Sequence, residues 1–275
     1  MNFIDMLGQA GQRNQSLLCV GLDPEVGRLP GSLRGDPGRI YDFCARVVEA
    51  TADLVIAFKP QIAYFAAARA EDQLERLIGH IRRVAPHVPV ILDAKRGDIG
   101  ATAQQYAREA FERYGADAVT LSPFMGSDSI EPFLKHEGKG AFLLCRTSNP
   151  GGSDLQAQRL AGVPGEPFLY EHLARQAQGP WNINGQLGLV VGATYPAEIE
   201  RVRAVAPTLP LLIPGVGAQG GDAEATVKAG WRANAPIVVN SSRAVLYASS
   251  DEAGYADAAR REATRTRDLL NAARA

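Results

Sequence analysis

The sequence predicts a (β/α)₈ barrel formed as one domain over residues 1–275. Three observations lead there. The length suits such a barrel, which commonly takes about 250 residues as a single unit. Eight short apolar runs recur along the chain, each followed by a helix-like segment. No two runs are joined by a hairpin signal, which favours parallel strands linked by helical crossovers.

The runs lie at residues 17–22, 54–59, 88–94, 118–121, 141–145, 187–191, 211–213 and 237–239. Several place Val, Ile or Leu at consecutive positions, the pattern of parallel strands covered on both faces. Amphipathic stretches at 61–85, 99–114 and 196–206 supply helices between them. Ala85-Pro86, Tyr114-Gly115, Ala206-Pro207 and Ala229-Gly230 punctuate where helices should stop. Residues 151–186, with Gly162, Pro164, Gly165 and Pro167, read as a loop plus a helix after the fifth strand. Loops at that end of a barrel often cover a substrate. An open doubly wound sheet is the rival architecture. Against it, the first strand leads into Gly21-Leu22-Asp23-Pro24 and not into a G-x-G-x-x-G turn. No linker, low-complexity tract or repeat beyond the βα unit is evident.

Lys plus Arg number 29 and Asp plus Glu 30, for a net charge of -1. That balance gives no global field for nucleic acid or an anionic membrane, so an anionic ligand must be held by local donors. Cys19, Cys44 and Cys145 are odd in number, widely spaced and without a C-x-x-C pair. They suit a reducing cytosol better than a disulfide framework or zinc site. Residues 1–16 lack the basic and apolar regions of a signal peptide, and no apolar run nears the ~18 residues of a membrane span. A cytoplasmic protein is expected.

The sharpest local feature is Asp93-Ala94-Lys95-Arg96-Gly97-Asp98 at the end of the third strand. Residues two apart on a strand share a face, so Asp93 and Lys95 should both point into the barrel mouth. The plainer reading of that pair is a structural salt bridge, and Asp98 would equally serve as a helix N-cap. Lys59 closes the second strand and Asp23 the first, so ionisable groups gather at the ends of three neighbouring strands. Charged residues on that face of a barrel usually serve a site.

After the seventh strand comes Pro214-Gly215-Val216-Gly217-Ala218-Gln219-Gly220-Gly221, whose glycines can turn N–H groups toward a ligand. The eighth strand ends in Asn240-Ser241-Ser242-Arg243. Loops after strands seven and eight form the usual phosphate site of these barrels, and an Arg there can clamp phosphate bidentately. Taken singly, each would be a flexible turn or a surface Arg. After the fifth strand, Ser148 in Arg146-Thr147-Ser148-Asn149-Pro150-Gly151-Gly152 offers an edge to a base, or simply belongs to an Asn-Pro-Gly turn. Cys145 reads as a small core residue. His80, His87, His136 and His172 share no ligand spacing, so no metal is expected.

Together these motifs resemble the orotidine 5′-phosphate decarboxylases, in particular their longer bacterial branch. The resemblance runs through Gly21-Leu22-Asp23, Phe58-Lys59-Pro60, the stretch from Leu92 to Ile99, Leu121-Ser122-Pro123, Thr147 to Gly151, Pro214 to Gln219, and Ser242-Arg243. The D-x-K-x-x-D element is shared with sister barrels; its combination with Lys59, Gln219 and Arg243 is more specific. Ala101 departs from the Asn expected in this branch.

The resemblance implies conversion of orotidylate to uridylate and carbon dioxide, the last step of de novo uridylate synthesis, with no cofactor. It implies a catalytic Lys59, Asp93, Lys95 and Asp98 array. Asp98, with Ile99 and Thr102, would reach a neighbouring subunit's site in a homodimer. Asp23 and Lys59 would hold ribose hydroxyls, Ser148 would read the pyrimidine, and Gln219 would bridge base and phosphate. Pro214, Ser242, Arg243 and backbone amides near Gly217 would surround the phosphate. A Mg²⁺-dependent sugar-phosphate decarboxylase or isomerase is the nearest rival, but it wants a carboxylate where this chain has Lys59. A non-catalytic nucleotide-binding barrel would have no need of Lys95. Arg260, Arg261, Arg265, Arg267 and Arg274 are interleaved with acids and alanines and read as a solvated outer helix.

Overall fold

The computed structural model describes residues 1–216 and 221–274. The chain begins with α1 (Phe3–Arg13), capped by the Asn2 side chain, which accepts from the Asp5 amide at 2.8 Å. It continues through β1 (Leu18–Leu22), α2 (Ile40–Thr51), β2 (Ala57–Pro60), α3 (Ile62–Ala67), α4 (Glu71–Val84), β3 (Ile91–Arg96) and α5 (Gly100–Arg108). Then follow β4 (Ala118–Leu121), α6 (Glu131–Leu134), β5 (Gly140–Arg146), α7 (Gly152–Leu155) and α8 (Leu169–Gln178). The last third comprises β6 (Leu187–Val191), α9 (Pro196–Val205), β7 (Leu211–Pro214), α10 (Ala223–Gly230), β8 (Ile237–Ser241), α11 (Arg243–Leu246) and α12 (Tyr255–Ala272).

All strand pairs are parallel, in the order β2-β1-β8-β7-β6-β5-β4-β3. The seam between β2 and β3 is drawn together by parallel bridges Phe58–Val90 and Gln61–Asp93, which bring the eight strands round into the expected (β/α)₈ barrel. The open-sheet rival is thereby set aside.

Strand alternation sorts the core into two shells. Outward residues such as Val20, Phe58, Leu92, Val119, Leu143, Leu189, Ile213 and Val239 pack against the helices. Inward, each strand contributes one residue to a second cluster: Cys19, Ala57, Ile91, Ala118, Phe142, Val190, Leu212 and Val238. That inner layer is closed from below by Phe3, Leu7 and Ala10 of α1, whose i, i+4, i+7 spacing puts them on one helical face. The Phe3 ring meets Phe142 edge-on, centroids 5.7 Å apart. The amino end of the barrel is thus sealed with apolar side chains, leaving the carboxyl end as the open mouth.

Several boundaries differ from the sequence reading. The second strand is Ala57–Pro60, shorter than 54–59 suggested, and the third is Ile91–Arg96, displaced toward the charged motif. The amphipathic stretch 61–85 resolves into α3 and α4, broken where Arg69 adopts φ +55°. The stretch 99–114 is α5 followed by a π-helical turn, Glu109–Arg113. Residues 151–186 are indeed loop and helix, with the short α7 at the start and α8 in the second half. Among the described residues no helix is long and apolar enough to cross a membrane.

Candidate active site

Two residues beyond the apolar layer, the same inward face carries Lys59 on β2, Asp93 on β3, Thr120 on β4, Leu144 on β5, Pro214 on β7 and Asn240 on β8. The period-2 rule that fills the barrel floor with Ala, Ile and Val therefore places the next layer, at the mouth, in polar and charged hands.

Asp93 is the centre of this layer. Lys59 Nζ donates to its Oδ2 at 2.8 Å and Lys95 Nζ to its Oδ1 at 2.6 Å. The Thr120 hydroxyl donates to Oδ1 at 2.9 Å. Lys59 Nζ also lies 3.9 Å from Asp23 Oδ1, a buried oxygen without a hydrogen-bond partner among the described residues. Lys59 is only 4% exposed, so its charge is balanced by these two carboxylates and not by water. The Lys95 side chain is 47% exposed and reaches Asp93 from the open side.

Two adjoining hollows meet at Lys59, Asp93 and Pro214. The larger, about 570 Å³, is lined by these charged residues, by the apolar Leu144, Leu155, Val190 and Leu212, and by the loop that carries Ser148. That volume lies in the range of small-molecule sites. The smaller, about 170 Å³, runs between Asp23 and the Asn240-Ser241-Ser242-Arg243 segment beside Gly215 and Val216. Arg243 starts α11, is exposed, and among the described residues its side chain makes no ion pair.

The Ser148 loop is held from behind. Arg146, 3% exposed, donates to Glu198 Oε2 at 2.7 Å and to Ser153 Oγ at 3.0 Å. Gln156 Oε1 accepts from the Thr147 amide at 2.8 Å. Gly192 at the end of β6 makes this approach possible, because a Cβ there would lie 2.7 Å from Ser148 atoms.

Burial alone would push the Lys59 pKa down, but the carboxylates of Asp93 and Asp23 outweigh it and hold the ammonium above its ordinary range. Burial would likewise raise Asp93, but the ammonium groups of Lys59 and Lys95 pull its carboxyl well below the usual range. The two signs define a stability window. The lowered Asp93 contributes stability that is present above a pH of about 4 and lost as pH falls; the raised Lys59 contributes below about 10.4 and loses it as pH rises. Asp93→Asn, which leaves Asp23 at 3.9 Å as the one carboxylate balancing Lys59, is expected to cost up to about 3 kcal/mol at pH 7, the lower end for a broken buried pair. The gap in Tm between variant and wild type should narrow as pH falls below about 4. A constant gap from pH 7 to pH 3 in thermal melts would contradict this assignment.

The structure brings Asp23, Lys59, Asp93, Lys95, Ser148, Pro214, Ser242 and Arg243 around the joined hollows. Asp98, Ile99 and Thr102 stand outside them, on the loop before α5 and its first turn, with Ile99 and Thr102 exposed. Asp98 is not the N-cap of α5: Ile99 occupies that position, and Asp98 Oδ1 accepts from the Ile99 amide instead. Gly217 and Gln219 lie outside the described residues. Cys145 is buried in β5, its thiol pushed up by burial, and serves packing as expected. The sequence reading missed Thr120 and the apolar lining residues Leu144, Leu155, Val190 and Leu212. A lone hydroxyl two residues past Ala118 in the run Ala118-Val119-Thr120-Leu121 was the available signal.

The model of the orotidine 5′-phosphate decarboxylase / HUMPS family matches residues 16–258. The chain is 79% identical over 275 residues to the orotidine 5′-phosphate decarboxylase of Polaromonas naphthalenivorans, covering 100% of this chain and 97% of that protein. It is also 79% identical to that of Paracidovorax citrulli, with 100% of both covered. Among solved structures, Leishmania donovani OMP decarboxylase superposes with a TM-score of 0.86 at 41% identity, covering 100% of this chain and 99% of that one.

Proposed function

This chain belongs to the orotidine 5′-phosphate decarboxylase / HUMPS family and is a carboxy-lyase; on that premise we propose that it converts orotidine 5′-phosphate to uridine 5′-phosphate and carbon dioxide, the final step of de novo uridylate synthesis. The observation that carries the reading is the Lys59–Asp93–Lys95 array in a hollow also lined by Leu144, Leu155, Val190 and Leu212.

The chemistry asks for what that array offers. Breaking the bond from C6 to the carboxylate leaves an electron pair on C6 that the ring's π system cannot delocalise. A fixed ammonium beside C6 stabilises that charge directly, and more effectively where water is excluded. Lys95 is the candidate: it stabilises the carbanion as carbon dioxide departs and then gives C6 its proton. Asp93 holds that ammonium in place and lies against the substrate carboxylate, disfavouring it relative to the transition state. Asp23, with its unpartnered buried oxygen, and Lys59 are suited to ribose hydroxyls. Ser148 reads the pyrimidine edge, and Gln219 joins base to phosphate. Pro214, Gly217, Ser242 and Arg243 surround the phosphate. A divalent cation fits this place poorly, because both oxygens of Asp93 already receive ammonium hydrogen bonds.

A second subunit completes the site in this reading. Asp98, Ile99 and Thr102 do not line their own chain's hollows, and Ile99 after β3 and Phe124 and Met125 after the neighbouring β4 leave 48%, 79% and 48% of their surfaces exposed. Apolar side chains so placed suit a self-complementary interface that carries Asp98 into the partner's site. The buried thiols suit a reducing cytosol.

The phosphate is remote from C6, yet binding energy there favours closure around the reacting ring. Arg243→Ala is therefore expected to lower kcat/KM about 100-fold or more, since a charge-assisted clamp is lost. Steady-state kinetics giving an unchanged kcat/KM would contradict that role. The direct test of function is purified protein with orotidylate and EDTA, followed by loss of orotate-ring absorbance. Chelator-insensitive conversion to uridylate supports the reading. No conversion, with turnover of a sugar phosphate on adding Mg²⁺, would replace it.

A further inference from the structure

The backbone under the two catalytic candidates is irregular. Leu92 pairs with Val119 and Arg96 with Leu121, so β3 places Asp93, Ala94 and Lys95 where β4 has Thr120 alone. Such a bulge takes amides off the ladder and re-aims the side chains beside it. Lys95 is one of the few non-glycine residues in the left-handed region, at φ +48°. An L-residue holds that conformation only when its surroundings over-determine it.

Thr120 supplies the determination. Its Oγ1 accepts from the Ala94 and Lys95 amides, both at 3.0 Å, and donates to Asp93 Oδ1 at 2.9 Å. A hydroxyl has one proton and two lone pairs, and here all three are used. The residue is 1% exposed, so water cannot take over these bonds. The ladder resumes past the bulge, where the Ser122 amide donates to Arg96 O at 2.7 Å.

We infer that Thr120 is a positioning residue for the decarboxylation: its hydroxyl fixes the bulge that turns Lys95 onto Asp93 and holds Asp93 between the two ammonium groups. It acts through Lys95 and Asp93 and not on the substrate's reacting atoms. The inference rests on the proposed reaction for its kinetic effect, but not for its structural one.

Thr120→Val keeps the shape and removes all three hydrogen bonds, whereas Thr120→Ser keeps the hydroxyl. With orotidylate, Thr120→Val is expected to lose about 100-fold in kcat with KM changed less than about threefold, because displaced reacting groups cost turnover more than binding. Thr120→Ser should recover to within about fivefold of wild type. Independently of any substrate, amide hydrogen exchange at Ala94 and Lys95 should quicken at least about tenfold in Thr120→Val and stay slow in Thr120→Ser. Should the valine variant melt below the assay temperature, Thr120→Ala, which puts no methyl against the Asp93 carboxylate, makes the same test. A Thr120→Val kcat within twofold of an active wild type, a serine variant as impaired as the valine one, or unchanged exchange at both amides would overturn the inference. A wild type inactive on orotidylate sinks the functional reading instead, and the exchange measurement still decides the role of Thr120.

Discussion

Replacing Lys95 with alanine is expected to lower kcat for orotidylate by at least about 10⁴-fold, since general acid catalysis and charge stabilisation are both lost at once. The same ammonium meets the electron pair as the carboxylate leaves and then delivers the proton, so no other group on the described inner face duplicates it. Lys59 is the nearest alternative donor, but it is buried between Asp93 and Asp23 and committed to both. Folding should be little disturbed, because the Lys95 side chain is half exposed. Kinetics and a thermal melt on one preparation separate these effects. A Lys95→Ala enzyme within about tenfold of wild type would contradict the catalytic role, since even one general acid is worth more than that.

The second large effect concerns the partner. If Asp98 completes the neighbouring subunit's site, Lys95→Ala and Asp98→Ala should each be nearly inactive alone. Mixed and allowed to exchange subunits, they form a heterodimer in which one site lacks both groups and the other has both. With random pairing, half of the dimers are mixed and each holds one intact site, so activity should return to about a quarter of wild type. The position of Asp98 outside its own chain's hollow is what motivates the test. Mixtures no more active than the single variants, once exchange is demonstrated, would place Asp98 within its own subunit or outside catalysis.

Much of this was legible in the residues because parallel strands announce themselves as consecutive apolar runs, and because charge at a strand's end is costly unless it serves something. Lys59, Asp93 and Lys95 were found that way, and they meet within hydrogen-bond distance. What escaped depends on contacts distant in sequence. Nothing in residues 1–16 shows that Phe3, Leu7 and Ala10 will seal the barrel floor, since that needs all eight strands in place. The break between α3 and α4 falls at Ala68-Arg69-Ala70, without the glycine or proline that usually marks one. Thr120 looks like an ordinary β-branched strand residue until the bulge opposite it is known. The alternative reading of Asp98 as a helix cap fails because spacing alone cannot tell the residue before a cap from the cap itself.

The central claim, that an ammonium at position 95 is the catalytic group, is tested most directly by removing and restoring it chemically. Lys95→Cys followed by alkylation with 2-bromoethylamine places an ammonium on a side chain of nearly native length. Cys19, Cys44 and Cys145 are buried, so the new thiol is the accessible one among the described residues. The unmodified variant should be as inactive as Lys95→Ala, and alkylation should raise its orotidylate turnover at least about 100-fold, the lower range for a restored general acid. Full alkylation at position 95 with no recovery of turnover, in a protein that melts like wild type, would contradict it.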